Sequence, residues 1–161
     1  MKIDIIGAGP AGLYFALLAK KHDPSHQIRI HEQNPEGATY GWGVVFSDIG
    51  LSFLKEADAD FYQEFIAHHE RCDYMDIVHQ GTHVQVHGNH FSRTARIDML
   101  QVMRQACRRE GIEIEYGRRI ENAGALAAQC DLLVAADGGN SAVRTQLAEH
   151  FRPSFVKRRN K

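Results

Sequence analysis

The stretch "IIGAGPAGLYFALL", residues 5–18, decides how this chain folds, because it sets Gly7, Gly9 and Gly12 in the spacing G-x-G-x-x-G between two apolar runs. The run before the glycines, residues 2–7, has the character of a buried strand. Pro10 then stands where a helix favours its first residue, since a proline there gives up no needed N–H, and the pattern predicts a helix through about Lys20. "QIRIHE", residues 27–32, alternates apolar and polar side chains around branched isoleucines and reads as a second strand. Strand, helix and strand at this spacing form a βαβ unit, whose handedness makes the two strands neighbours in a parallel sheet.

Inside such a unit each glycine has its own work. Gly7 makes the turn, Gly9 lets the backbone approach a pyrophosphate, and Gly12 lets helix and strand pack closely. The helix N-terminus presents N–H groups and the positive end of its dipole to the phosphates. Glu32 ends the second strand 20 residues after Gly12, the offset at which a carboxylate accepts hydrogen bonds from a ribose. Pro10 and Ala11, inside the turn, and Gln33, beside Glu32, complete the candidate set at this end of the chain. A purely structural glycine turn is the plainer reading, but the glycines, flanking elements and distant acid together favour a dinucleotide. NAD and FAD share the ADP half that such a site recognises, so the fingerprint alone leaves both open.

Composition narrows the rest. The 161 residues are 43% hydrophobic and 24% charged, enough for one core and one domain. A net charge of -1 offers no electrostatic reason to seek nucleic acid or an anionic membrane. No apolar run reaches the ~20 residues of a membrane helix, so neither nucleic acid nor membrane is an expected partner. Cys72, Cys107 and Cys130 lie far apart without C-x-x-C spacing, which suggests neither zinc nor a disulfide framework and makes a reduced, cytoplasmic setting the expectation.

Two later stretches carry further signals. "CDLLVAADGGNSAVRTQL", residues 130–147, is an apolar run ending at Asp137 and Gly138, followed by Ser141 and Arg144 on a predicted helix that Asp137 or Asn140 would cap. "ATYGWGVVFSDIG", residues 38–50, places Gly41 and Gly43 around Trp42 in what reads as a long loop, with Asp48 as the cap of the helix beyond it. A backbone this bare beside a tryptophan suits a loop lying along a flat ring.

GAGPAG after a strand, Glu32, the helix "RIDMLQVMRQACRREG" led by Arg96, and D-G-x-x-S-x-x-R from Asp137 to Arg144 together resemble the FAD-dependent, single-component aromatic hydroxylases. "YGWGVVFSD" is more specific and resembles the flavin loop of the monooxygenases acting on anthraniloyl-CoA and salicylyl-CoA. The resemblance implies an α/β fold: a Rossmann-like FAD-binding domain of the glutathione-reductase and para-hydroxybenzoate-hydroxylase type, with a parallel sheet, crossover helices and a small β-hairpin excursion. It implies FAD at Gly7, Gly9 and Gly12 (pyrophosphate) and at Glu32 (adenosine ribose), and Arg96 toward the cofactor's middle. Gly43, Val44 and Val45 would lie near the isoalloxazine, and Asp137 and Gly138 on the pyrophosphate side, helping to admit NADPH or NADH. The implied reaction hydroxylates an aromatic substrate, aryl-CoA thioesters included, through a flavin C4a-hydroperoxide.

The family's downstream glycine-aspartate motif and its substrate-covering sheet are not found in these residues, so residues 1–161 are expected to be the N-terminal portion of the FAD-binding domain. The family's substrate contacts lie mostly in that missing part, and no catalytic residue is assigned. Two other readings remain: a non-catalytic dinucleotide-binding module or truncated remnant, and an NAD-dependent dehydrogenase, which leaves "YGWGVVFSD" and the Asp-Gly motif unused.

Four histidines, His79, His83, His87 and His90, invite a metal reading, but "MDIVHQGTHVQVHG" alternates around a Gly-Thr turn and predicts a hairpin. Two histidines four apart on one strand stand about 13 Å apart, too far to share an ion; pairing of His79 with His83 across the turn is the remaining route. Phe61, Phe65 and Ile66 are spaced as a helix core face, with His68 and His69 solvated beside them. Ile97, Leu100, Met103 and Cys107 are expected on the buried face of the following helix, with Arg104, Arg108 and Arg109 outside. Lys157, Arg158, Arg159 and Lys161 read as a solvated chain end, with a CoA or NADPH phosphate as the alternative partner.

Overall fold

The computed structural model describes residues 1–154 and residue 156. The chain opens with strand β1 (Lys2–Ile6), helix α1 (Pro10–His22) and strand β2 (Gln27–His31). Strand β3 (Gly43–Ser47), helices α2 (Asp48–Ala57) and α3 (Ala59–Ile66), and the long strands β4 (Glu70–His79) and β5 (Thr82–Ala95) follow. Helix α4 (Arg96–Arg109) returns the chain to strand β6 (Glu113–Glu115), helix α5 (Ala123–Ala127) and strand β7 (Leu132–Ala135). Short helices α6 (Ala142–Gln146) and α7 (Ala148–Phe151) come last.

Four strands form a parallel sheet in the order β6-β2-β1-β7. From β1 the chain crosses to β2 on one side, while β7 occupies the other. The strand order therefore reverses at β1, the position where open α/β sheets bind ligands beyond their carboxyl ends. One sheet face carries Ile3, Ile5, Ile28 and Ile30, all buried against Leu13, Ala16 and Leu17 of α1 and against Leu100, Met103 and Cys107 of α4. Full burial of each large aliphatic side chain contributes roughly 1.5–3 kcal/mol, so this layer fixes the sheet on its helices. Phe61 and Phe65 extend the same core from α3, as their spacing predicts.

The opposite face is differently built. Its apolar part is small, with Ile6, Ala123, Leu126 and Val143 in one cluster. Beyond it the strands present charged side chains to an open, polar cavity of about 790 Å³.

A second sheet is antiparallel, in the order β3-β5-β4. The predicted hairpin is β4–β5, and its turn is Gln80–Gly81, with φ of 48° and 79°, instead of Gly-Thr. Both central residues left-handed is the type I′ geometry that matches strand twist. This register sets His79 opposite Thr82 and His83 opposite Val78, so the two histidines are not cross-strand partners.

Local readings changed where distant partners intervene. The 38–50 segment is a loop only to Trp42; Gly43–Ser47 pairs with residues 91–95 of β5. Ser47, not Asp48, caps α2, its Oγ accepting from Gly50 N at 3.1 Å. Arg104 is buried, lying over the Tyr116 ring and 3.5 Å from Ala38 O, whereas Arg108 and Arg109 stay outside in ion pairs with Glu36 and Glu64. Ile97 is instead exposed. His69 is half-buried, stacked on Phe46 and 3.0 Å from Ser92 Oγ, and burial lowers its pKa; only His68 is solvated.

Candidate functional site

The carboxyl ends of the parallel strands converge on one cavity of about 360 Å³. Gly7, Gly9, Glu32, Gln33, Arg96, Asp137 and Gly138 all line it, arriving from β1, β2, α4 and β7. Seven candidates read from separate stretches are thus brought together.

The three glycines differ as their spacing requires. Gly7 has φ +106°, and its N–H donates to His31 O at 2.8 Å. A Cβ on Gly7 would overlap Ala136 O, and one on Gly12 would overlap Gly7 O, so both positions are closed by backbone. Gly9 is the N-cap of α1 with φ -78° and ψ 177°, and a Cβ there would meet nothing within 4 Å among the described residues. The ledge over Gly9 is open space at a helix N-terminus without a side-chain cap. Pro10 and Ala11 form the first turn behind it, half-buried and exposed respectively.

Glu32 is tied to the turn it faces. Its Oε2 accepts from Ala8 N at 2.9 Å, and its Oε1 accepts from Asn34 N and Nδ2 at 2.8 and 2.7 Å. A carboxylate has about four acceptor positions, so Oε2 retains one toward the cavity. Arg96 opens α4, its N–H donating to Trp42 O at 3.2 Å, and its buried Nε has no partner among the described residues. A buried guanidinium N–H left over at a cavity wall fits an anion.

Across the cavity, Asp137 Oδ2 accepts from Val143 N at 3.1 Å, while Ser141 is the N-cap of α6, its Oγ accepting from Arg144 N at 2.9 Å. Asp137 therefore acts as a second acceptor for that helix start, and Asn140, expected as an alternative cap, lines the cavity instead. Gly138 takes φ +85°, a left-handed turn. Gly43, Val44 and Val45 lie on β3 outside this cavity; Val44 packs toward the core, Val45 is exposed, and Trp42 before them is 98% exposed.

Sequence reading missed several lining residues: Asn34, Tyr40, Arg118, Arg119 and Ile120. Arg118 and Arg119 follow the third parallel strand, where ligand contacts collect in this fold, but β6 is three residues long and leaves little periodic signal. The closing cluster Lys157, Arg158, Arg159 and Lys161 lies outside the described residues. Among the described residues no group of three or more His, Cys, Asp or Glu is placed to hold a metal, and no helix is long and apolar enough to cross a membrane.

No family model matches the sequence. Salicyloyl-CoA 5-hydroxylase of a Streptomyces species is 32% identical over 96% of this chain. 3-hydroxy-4-methyl-anthranilyl-[aryl-carrier protein] 5-monooxygenase of Streptosporangium sibiricum is 28% identical over 94%. The chain spans 30% and 42% of these relatives' lengths, respectively. Among solved structures, a 2-methyl-3-hydroxypyridine-5-carboxylic acid oxygenase mutant superposes with TM-score 0.74 at 18% identity, covering 91% of this chain and 42% of that one. Along nearly all of its length the chain is thus similar in sequence to this hydroxylase and this monooxygenase, and it shares the fold of the superposed oxygenase.

Proposed function

We propose that this chain is the dinucleotide-binding part of an FAD- and NAD(P)H-dependent monooxygenase that hydroxylates an aromatic ring, with an aryl thioester as the substrate class. The observation that carries the reading is the open ledge over Gly9, framed by two glycines that backbone contacts close. The thioester class rests on the two relatives' names, one for a CoA-linked and one for a carrier-protein-linked aromatic acid.

The residues present fit FAD. The N–H groups at the start of α1 would hold the diphosphate, aided by the helix dipole, and Glu32 Oε2 would accept from the adenosine ribose. Arg96, with its unpartnered Nε, would balance the diphosphate charge. Gln33 would border the ribose, and Asp137 and Gly138 would border the diphosphate from β7. Gly43, Val44 and Val45 would form the shelf reaching toward the flavin ring. Bound FAD supplies the redox and oxygen-transfer chemistry; the residues described here bind and orient it.

Purification with a visible spectrum tests the proposal. The expected result is a yellow protein, or one that turns yellow on adding FAD and desalting, and that oxidises NADPH or NADH. A colourless protein that binds ADP but never FAD would leave a bare nucleotide module. Hydride transfer from an alcohol to free NAD would point to a dehydrogenase.

A further inference from the structure

Four ionisable side chains are gathered on the polar face of the parallel sheet, and the cofactor reading uses none of them. Asp4 of β1 is 0% exposed and His31 of β2 is 3% exposed. Asp4 Oδ1 lies 2.8 Å from His31 Nε2 and accepts from Arg29 Nε at 2.9 Å. On the other side, His31 Nδ1 lies 2.9 Å from Glu115 Oε2, and Arg29 Nη1 is 3.7 Å from Glu115 Oε1.

A neutral imidazole offers one N–H and one lone pair. Set between two carboxylates, it would turn that lone pair toward an oxygen. Both contacts attract only when both ring nitrogens carry protons, and the cluster then balances two carboxylates with an imidazolium and a guanidinium. Burial opposes ionisation of Asp4, but the bonds from Arg29 and His31 outweigh it and hold the carboxyl below its usual range. Glu113 of β6 faces Arg29 across the strands, and Arg118, Arg119 and Glu121 border the same cavity from the segment after β6. Helix α5 (AGALA) brings no charge.

The cluster adjoins the dinucleotide cavity, which His31 itself helps to line. His31 O accepts the Gly7 N–H, and Glu115 O accepts the Glu32 N–H, each at 2.8 Å. The backbone carbonyls of the bridged residues thus hold the first glycine and the acid.

Resting on the dinucleotide reading, we propose that cationic His31, bridging Asp4 and Glu115, is a positioning residue that fixes the ends of β1, β2 and β6 so that Gly7, Gly9 and Glu32 meet the nucleotide, making nucleotide affinity depend on the His31 proton.

The test is calorimetric titration of ADP and of FAD into the 161-residue chain between about pH 5.5 and 9, with the imidazole state of His31 followed by NMR. Wild type is expected to lose about tenfold or more in affinity as His31 loses its proton. His31→Gln should bind about tenfold more weakly at the acid end and show a flat profile. Glu115→Gln is the variant safest for folding, because Glu115 is a third exposed on an edge strand, and it should show the same flattening. If both variants keep wild-type affinity and profile, the proposal is overturned, whether or not His31 titrates in this range. A flat wild-type profile across an observed His31 titration overturns it too. A wild type that binds neither ADP nor FAD at any pH removes the dinucleotide reading itself, whereas a binding wild type with unaffected variants removes only the role of His31.

Discussion

Replacing Gly9 by valine separates folding from binding. Gly9 sits at φ -78° and ψ 177°, extended backbone that any residue adopts, and its side-chain direction is open to 4 Å among the described residues. The folded chain has no steric objection to a larger residue there. Valine is a poorer N-cap than glycine, while the restriction of the unfolded chain acts the other way by about 0.4–1 kcal/mol. Net stability should therefore move by no more than about 1 kcal/mol, or roughly 2–4 °C in Tm for a chain this long. Binding is a different matter. An isopropyl group over the ledge displaces the diphosphate from the N–H groups behind it, and each charge-assisted bond contributes about 1.5–3 kcal/mol. Losing two raises the dissociation constant of ADP or FAD by about two to four orders of magnitude. Calorimetric titration gives the affinity and a thermal melt gives the stability of the same sample. Wild-type affinity in Gly9→Val would refute the cradle. Gross destabilisation would refute the claim that Gly9 is free of structural duty.

Gly12→Ala should do the reverse: its Cβ overlaps Gly7 O, so denaturant unfolding should show a loss of about 1–3 kcal/mol even without nucleotide. Asp4 should shape the acid limb of stability. Its folded pKa lies below the unfolded value of 3.8, so its contribution is present above that value and is lost as pH falls through the folded one; Asp4→Asn should melt lower at neutral pH and show a shallower acid decline. Burial, reinforced by Glu110, pushes the Cys107 thiol up to about 12. At pH about 8 a thiol reagent should therefore label the half-buried Cys72 and Cys130 in the native protein and reach Cys107 only on unfolding; fast native labelling of three thiols would contradict the packing.

The first βαβ unit was legible because its information is local. Alternation in 27–32, Pro10 at the helix start and three glycines in one short turn each act within a few residues. The cavity's opposite wall was legible at Asp137–Gly138 only through the family resemblance of D-G-x-x-S-x-x-R, since turn chemistry by itself marks no more than a turn. β3 was not: "GVVFS" becomes a strand because β5 supplies its hydrogen bonds from about fifty residues away. The burial of Arg104 likewise depends on Tyr116 and Ala38, neither near it in sequence. Nothing local marks Asp4 or His31, each a polar residue within a short strand. Their pairing follows from the register that sets β1 and β6 on either side of β2, which neither strand encodes alone.

The seating of β7 beside β1 also dictates an order of assembly. Gly7 packs on Ala136, and Ala136 N donates to Ile6 O at 2.8 Å, so the turn that opens the chain is completed by a segment that leaves the ribosome near the end of these residues. Until Leu132–Ala135 docks, β1 has a neighbour on one side only, and its other edge is bare main chain able to recruit a foreign strand. Translation of everything between them must finish before that edge is sealed, which makes this long-range closure the slow and vulnerable stage in the birth of the domain.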